Sequence, residues 1–201
     1  MSDKLKENTI INAARERFAH YGFSKVTMEE IAADVEMGKA SLYYYFPTKE
    51  DLFRAVVLME QDELKNNIDL ILKKKYQASQ KLREYVDQRL KFFQGLINLG
   101  ALNVQSYFDI KPVFKKLSKD FENVELELIR KIIEEGKLSH EFDPNLSEEA
   151  SIVFLHILQG LRFRMIRWNK GQGLNKEAYN NLKKEMNIAT DIFIRGIKCR
   201  Q

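Results

Sequence analysis

Apolar residues recur at three- and four-residue spacing along almost the whole chain, which is the period of amphipathic helices. No strand-like alternation persists beyond a few residues, and only 3 prolines and 9 glycines interrupt the pattern. The pattern therefore predicts an all-α protein. Pro47, Pro112 and Pro144 are each expected where a helix begins, because proline is tolerated in a first turn.

The first predicted helices are short and closely spaced, as in a helix-turn-helix. A mobile N-terminal arm is expected to lead into a helix from Thr9 to Tyr21, which Gly22 ends. Thr27-Met28-Glu29-Glu30 predicts a capping box at the start of the second helix. A sharp turn at 36–38, for which we expect Gly38 to supply the backbone freedom, then leads to a third helix over 39–45.

The third helix is expected to bury Leu42 and Phe46, which are four residues apart. That geometry leaves an outward face of mixed chemistry: Lys39, Ala40, Ser41, Tyr43 and Tyr44. Thr48 is then predicted to cap a long fourth helix that runs to about residue 76.

The second half of the chain is predicted to contain further long helices. Residues 77–79 are expected to form a linker, with Ser79 capping the next helix. A short helix is predicted after Pro112 and another over 121–136, ended by Gly136. The pattern thus predicts a helix-turn-helix domain at 1–53 with a linking helix at 48–76, and a helical domain at 77–201.

The last two predicted helices, 147–168 and 176–198, are apolar around much of their circumference. A helix that is hydrophobic nearly all round must be covered on all sides. Pairing both helices with the same two helices of a second copy, as a four-helix bundle, would cover them. We therefore predict a homodimer that forms through 147–168 and 176–198.

Charge qualifies the nucleic-acid interpretation. The 201-residue chain has a formal charge of +4 and a pI of about 9.0, which suggests a nucleic-acid partner. Residues 1–60, however, contain 8 Lys and Arg against 10 Asp and Glu, a net charge of −2, and the remainder carries +6. DNA binding must therefore depend on where a few cations point.

Other classes of protein find little support. The N-terminus lacks the apolar core of a secretory signal, and no apolar run reaches the roughly 18–20 residues of a membrane helix, so we expect a cytoplasmic protein without membrane contact. The single cysteine, Cys199, excludes an internal disulfide framework. His20, His140 and His156 are far apart in sequence and no metal-ligand spacing occurs. We expect no enzyme activity, no cofactor and no metal.

The stretch from Ile10 to Phe53 resembles the DNA-binding domain of the TetR (tetracycline-repressor-like) family of bacterial transcription regulators. The resemblance comprises a first segment with Ala14, Phe18, Gly22 and Phe23, a second with Thr27, Ile31 and Ala32, and a third with Gly38, Leu42, Tyr43, Tyr44, Tyr45, Phe46, Lys49 and Leu52. The remainder has the length and helicity of the family's ligand-binding and dimerisation domain, without a matching motif.

The resemblance assigns roles to the predicted DNA-facing residues. It implies base contacts from Lys39, Ala40, Ser41 and Tyr44, and backbone phosphate contacts from Thr27, Tyr43, Tyr45 and Lys49. The chemistry agrees, because lysine and serine can hydrogen-bond base edges, an alanine methyl suits a thymine methyl, and tyrosine hydroxyls can hold phosphate oxygens. The alternative is that one or two of the tyrosines, Tyr45 foremost, pack against the first helix.

A ligand site is expected between helices of the second domain, where aromatic residues recur on helical faces. The predicted set is Phe92, Leu96, Gln105, Phe108, Phe121, Phe154, His156, Leu158 and Arg162. The polar members could orient a small apolar ligand, and Arg162 could hold an acidic group. The alternative for each aromatic residue is ordinary core packing.

Together these features predict a dimeric transcription regulator that binds a palindromic double-stranded DNA operator. We expect a repressor that a small apolar ligand releases, by favouring a dimer whose recognition helices no longer fit two successive major grooves, about 34–36 Å apart. The alternative is a constitutive or architectural DNA-binding protein without small-molecule control.

Overall fold

The computed structural model describes residues 3–98, 104–168 and 176–199, and it describes their side chains except at 96–98 and 104–120. Within these ranges the chain forms eight α-helices, and the prediction of an all-α protein is confirmed. They are α1 (Asp3–Tyr21), α2 (Met28–Asp34), α3 (Lys39–Tyr45), α4 (Lys49–Lys73), α5 (Ala78–Asn98), α6 (Val104–Leu138), α7 (Glu149–Trp168) and α8 (Lys176–Ile197). None of the described helices is long and apolar enough to cross a membrane.

The chain divides into two compact units. One consists of Met1–Asp62 and Phe93–Leu117, and the other of Glu63–Phe92 and Ser118–Gln201. Helices α4, α5 and α6 each contribute residues to both units. The functional division at 53 and 77 stays a prediction.

Three aromatic rings form the centre of the N-terminal unit. Gly22, at φ +80°, ends α1 as predicted, and its N–H donates to the carbonyl of Phe18 at 2.8 Å. The chain then turns back so that Phe23 contacts Phe18 and Phe53, with ring centroids 5.6 and 4.8 Å apart. Phe18 and Phe53 meet at 5.4 Å. Each such pair contributes about 0.5–1.5 kcal/mol beyond the burial of its area, so α1 is held firmly on α4.

Helix α1 starts earlier than predicted. The sequence pattern placed its start at Thr9 after a mobile arm, but the helix begins at Asp3. A carboxylate in the first turn interacts favourably with the unpaired N–H groups there. Thr9 lies inside the helix, where its hydroxyl donates back to the carbonyl of Leu5 at 2.9 Å. The expected start at Thr9 is therefore wrong.

The left-handed residue of the α2–α3 turn is Glu36 and not Gly38. Glu36 has φ +53°, whereas Gly38 is extended, at φ −66° and ψ 146°, as the residue before α3. The N–H of Glu36 donates to Ala33 O at 3.1 Å and that of Met37 to Ala32 O at 2.9 Å. This is the Schellman arrangement, in which the left-handed residue follows the C-cap, here Val35, and Gly38 is left to precede α3.

Two predicted boundaries in the middle of the chain are wrong. Helix α5 begins at Ala78, so Ser79 lies in its first turn and Gln77 precedes the helix, its carbonyl accepting from the N–H of Lys81 at 3.0 Å. Pro112 lies within α6, and the predicted helices after Pro112 and over 121–136 are parts of this one helix. Apolar positions recur at helical spacing on both sides of Pro112, which favours a continuous helix over a break.

Gly136 does not end α6, which continues to Leu138, and the left-handed residue there is His140 at φ +57°. Gly136 lies instead against the buried ring of Phe142. A Cβ atom at position 136 would be 2.1 Å from Phe142 Cδ2. The glycine therefore allows this close approach, which spacing along the sequence cannot reveal.

A buried lysine joins three helices in the C-terminal unit. Lys81 of α5 is 1% exposed, and its ammonium donates to the carbonyl of Leu72 in α4 at 2.9 Å. It also donates to both carboxylate oxygens of Glu135 in α6, at 2.5 and 2.7 Å. Burial of a charge is costly unless it is paired, and these three contacts meet that requirement.

Candidate nucleic-acid interface

Helix α2 is a firmly capped support for α3. Thr27 Oγ1 accepts from the N–H of Glu30 at 3.3 Å, and the carboxylate of Glu30 accepts from the N–H of Thr27 at 2.8 Å. The predicted capping box is therefore confirmed. Arg17 of α1 forms a forked ion pair with Asp34, with one hydrogen bond of 2.8 Å, and this pairing lowers the pKa of Asp34. Both ends of α2 are therefore held by side-chain contacts.

Helix α3 presents the face that its spacing predicts. Leu42 and Phe46 are buried, while the outward side chains are open to solvent. Tyr44 is 81% exposed and Tyr43 36%. The exposed residues on this face are Lys39, Ala40, Ser41, Tyr43 and Tyr44. Exposed aromatic side chains on a short helix leave apolar surface open to solvent, which makes this face a candidate contact surface.

Lys39 already has a partner on this face. Its ammonium forms an ion pair with Glu29 of α2 and lies 5.8 Å from the ring centroid of Tyr43. The hydrogen bond from Lys39 lowers the pKa of the Glu29 carboxyl, and the same bond raises the pKa of Lys39. Both side chains are exposed, so the pair can open when another partner arrives.

Tyr45 faces α1, as the alternative interpretation of the tyrosines allowed. It is half-buried, and its hydroxyl donates to the Asp3 carboxylate at 3.3 Å. Its ring meets that of Tyr44 edge-on, with centroids 5.4 Å apart. Loss of solvent, followed by the charge of Asp3, raises the pKa of Tyr45. The phosphate contact predicted for Tyr45 remains a prediction.

Lys49 has an internal role that the sequence did not reveal. The half-buried ammonium donates to the carbonyls of Phe23 and Val26, each at 3.0 Å, and lies 4.5 Å from the ring centroid of Phe23. A cation in the first turn of a helix is disfavoured by the helix dipole, and the two carbonyl contacts offset that cost. These contacts brace the loop between α1 and α2, and the phosphate contact stays a prediction.

The structure brings together only part of the predicted ligand site. Phe92 and Phe121 are half-buried, with ring centroids 5.7 Å apart. Phe154 is buried and stacks on Phe193 at 4.5 Å, and Leu158 is buried as well. His156 is exposed and Arg162 is half-buried. The side chains of Leu96, Gln105 and Phe108 lie outside the described residues.

Next to the Phe92–Phe121 pair lies a buried polar cluster that sequence reasoning missed. Tyr85 and Arg89 of α5 both donate to Glu125 Oε1 of α6, each at 2.8 Å. All three residues are at most 5% exposed, and burial raises the pKa of Tyr85 well above its usual value. The available signal was the spacing of Tyr85, Arg89 and Phe92 on one face of α5.

Metal ligation has no geometric basis in the part of the chain that the structure describes. There, no group of three or more His, Cys, Asp or Glu side chains is placed to hold a metal ion.

A short capped helix that supports a second helix with an exposed polar and aromatic face defines a helix-turn-helix DNA-binding protein. Comparison with known proteins agrees. Residues 10–56 match the profile of the family described as bacterial regulatory proteins, tetR family. The chain belongs to the TetR family, and it is a DNA-binding transcriptional regulator.

Similarity to individual proteins extends over most of the chain. A crystal structure of a transcriptional regulator from Cytophaga hutchinsonii is 39% identical, with a TM-score of 0.91 over 98% of this chain and 100% of that chain. The HTH-type transcriptional regulator QacR of Staphylococcus aureus is 24% identical over 95% of this chain and 97% of its own. The nucleoid occlusion factor SlmA of Cronobacter sakazakii is 28% identical over 73% of this chain and 75% of its own.

Proposed function

We propose that the protein is a homodimeric repressor that reads a palindromic operator with α3 and leaves it when a small apolar ligand binds. The observation that carries the proposal is the solvent-exposed face of α3 on its capped support. Lys39, Ala40, Ser41 and Tyr44 would meet base edges in the major groove. Thr27, Tyr43, Tyr45 and Lys49 would meet backbone phosphates.

Tyr44 is the sharpest test of base reading, because it is the most exposed tyrosine of α3 and its ring meets that of Tyr45 only edge-on. Selection of bound fragments from a genomic library would first give the operator and its symmetry. Tyr44→Ala should then weaken operator binding by about 1–3 kcal/mol, the value of one good base contact. Binding to random-sequence duplex should change much less.

The test has a matched control. His20→Ala removes an exposed ring from α1, at a position outside the proposed reading face. It should leave operator binding unchanged. Equal losses of affinity on operator and random DNA for Tyr44→Ala would contradict the base-reading role.

Exposed apolar side chains on the last two helices support the homodimer. On α7, Phe163 is 58% and Trp168 83% exposed, and on α8 Ile192 is 66% exposed, with Ile188 one turn before it. A lone chain rarely exposes so many large apolar side chains on two adjoining helices. An isologous four-helix bundle made with a second copy would cover them.

Sedimentation equilibrium tests the dimer. Ile192→Glu places a charge in the proposed bundle and should yield monomers, which bind a single half-site weakly. Leu70→Glu is the control, because Leu70 is similarly exposed but belongs to α4. Dimers that survive Ile192→Glu unchanged would refute this interface.

The Phe92–Phe121 pair and the adjoining cluster of Tyr85, Arg89 and Glu125 support ligand control. A buried ion pair is rarely retained for stability alone, since apolar residues of similar size often serve equally well. Here it would fix the polar end of an apolar ligand whose body lies against the two rings. Arg162 adds positive charge near Tyr85 and acts to lower its pKa.

A screen of apolar compounds by thermal shift, followed by calorimetry, tests ligand control. Arg89→Met should abolish or weaken binding of any compound that releases the operator. The alternative, a constitutive or architectural DNA-binding protein, is favoured by the similarity to a nucleoid occlusion factor. Tight operator binding with no releasing compound, and several bound sites spread along the chromosome, would favour that alternative.

A further inference from the structure

The only cation within α3 is already neutralised by a neighbouring acid. The helix reads Lys-Ala-Ser-Leu-Tyr-Tyr-Tyr, so Lys39 is its single positive charge. The Lys39 ammonium pairs with Glu29 across the α2–α3 turn, and both side chains are more than half exposed. The ion pair reduces the attraction of Lys39 for DNA phosphates, so a general role in phosphate binding does not explain it.

Glu29 is available for this contact because the other acids of α2 have different partners. The carboxylate of Glu30 closes the capping box, and Asp34 is held by Arg17 of α1. The Glu29 carboxylate instead forms its ion pair with the Lys39 ammonium. Its position in the first turn of α2 favours the ionised form, because the helix N-terminus is positive.

Phosphates and base edges present different alternatives to this ion pair. A DNA phosphate attracts Lys39 but repels Glu29, so taking Lys39 away would leave an unpaired carboxylate beside a polyanion. In the major groove, guanine offers Lys39 its O6 and N7 acceptors, and cytosine offers Glu29 an N4 amino donor. Only the base edges give both charges a new partner.

We propose that Glu29 is a specificity-determining residue, which withholds Lys39 from phosphates on non-specific DNA and releases it at a G·C pair of the operator. This inference rests on the base-facing position proposed for Lys39. Glu29 then raises specificity by reducing non-specific affinity, while the operator contact keeps its strength. The net charge of −2 over residues 1–60 agrees with this, because acids outnumber cations in the part of the chain that contains α3.

Salt dependence of DNA binding tests this directly. Glu29→Gln keeps the size of the side chain and removes its charge. Glu16→Gln is the matched control, since Glu16 is exposed on α1 and its loss changes the net charge equally. Affinity for a random-sequence duplex and for the selected operator is measured at about 50 to 200 mM salt, where phosphate contacts are readily resolved.

Glu29→Gln should bind the random duplex about fourfold more tightly per chain at 200 mM salt, with a salt slope about 0.9 steeper per chain, because Lys39 gains a phosphate. Operator affinity should rise less, so the ratio of operator to random affinity should fall. Glu16→Gln should leave that slope and ratio close to those of the unmodified protein. If Glu29→Gln and Glu16→Gln behave alike on the random duplex, the inference is overturned.

Lys39→Met separates this inference from the proposed function. Added to Glu29→Gln, it should restore the original slope on random DNA, and a slope that stays steep would overturn the inference. Alone, Lys39→Met should weaken operator binding and leave random-DNA binding almost unchanged. If operator binding survives Lys39→Met intact, the base-facing role of Lys39 fails, whatever Glu29→Gln shows on random DNA.

Discussion

Glu36 stands in a backbone conformation that suits glycine, and Glu36→Gly should stabilise the helix-turn-helix. At φ +53° a residue with a Cβ atom is strained by about 1–2 kcal/mol, a cost that glycine does not have. Glycine also loses more backbone entropy on folding, by about 0.5–1 kcal/mol. The difference predicts that Glu36→Gly raises local stability by about 0.5–1 kcal/mol.

Hydrogen exchange of the full chain, resolved by peptide, is the suitable assay, because two compact units need not unfold as one transition. Amides of α2 and α3 should exchange about two- to fivefold more slowly in Glu36→Gly, as that stabilisation requires. Amides of α7 and α8 provide the internal reference and should not change.

Glu36→Gln separates backbone strain from charge. It removes the same negative charge and keeps the Cβ atom, so it should leave exchange in α2 and α3 unchanged. Both variants should bind DNA somewhat more tightly at low salt, because each removes an acid from an acidic unit. If Glu36→Gln slows exchange as much as Glu36→Gly does, the strain argument is refuted.

Three further outcomes follow from contacts in the structure. Lys49→Ala should destabilise the N-terminal unit by about 1–3 kcal/mol, because two carbonyls lose a charged donor. The same variant should reduce the salt slope of DNA binding by about one unit, because the proposed phosphate contact is lost. Gly136→Ala should cost about 1–3 kcal/mol in urea unfolding, because the added methyl overlaps the ring of Phe142. The Arg17–Asp34 pair should stabilise α2 above the ordinary aspartate pKa of about 3.9, and hydrogen exchange should show that contribution disappearing as the pH falls through the lowered pKa of Asp34.

The contradicting outcomes are equally definite. If Lys49→Ala reduces the salt slope of DNA binding without reducing stability, Lys49 only contacts a phosphate. If it reduces stability without changing the slope, Lys49 only stabilises the loop between α1 and α2. Gly196→Ala, whose added methyl meets no atom within 4 Å, is the control for Gly136→Ala and should not destabilise. Arg17→Met should reduce the acid dependence of α2 stability and leave the part that Glu30 contributes through its own lowered pKa, and an unaltered dependence would exclude a contribution from the Arg17–Asp34 pair.

Local signals in the sequence predicted the structure of α1 to α3 well. The capping box at Thr27, the stop at Gly22 and the four-residue spacing of Leu42 and Phe46 each depend on atoms close in sequence. Their energies act within one or two turns of helix, so spacing alone identifies them. Gly38 was misjudged because a Schellman motif fixes the left-handed position relative to the preceding helix, and that position holds Glu36.

Contacts between distant residues could not be predicted in this way. Lys49 reaches carbonyls more than twenty residues earlier, and Gly136 is explained only by the ring of Phe142. The cluster of Tyr85, Arg89 and Glu125 requires two helices to be placed side by side. The preference of proline for a first turn predicts a helix start at Pro112, whereas α6 continues through this residue, as the surrounding apolar pattern favours.

The neutralised lysine of α3 has a consequence for the kinetics of target search. A protein held on ordinary DNA by many free cations slides far along one segment before it dissociates. With Lys39 engaged by Glu29, each stay on a wrong segment should be short, and the protein should sample the chromosome mainly by repeated release and recapture. Such a regulator would respond rapidly when its operator becomes vacant, at the expense of long one-dimensional scans.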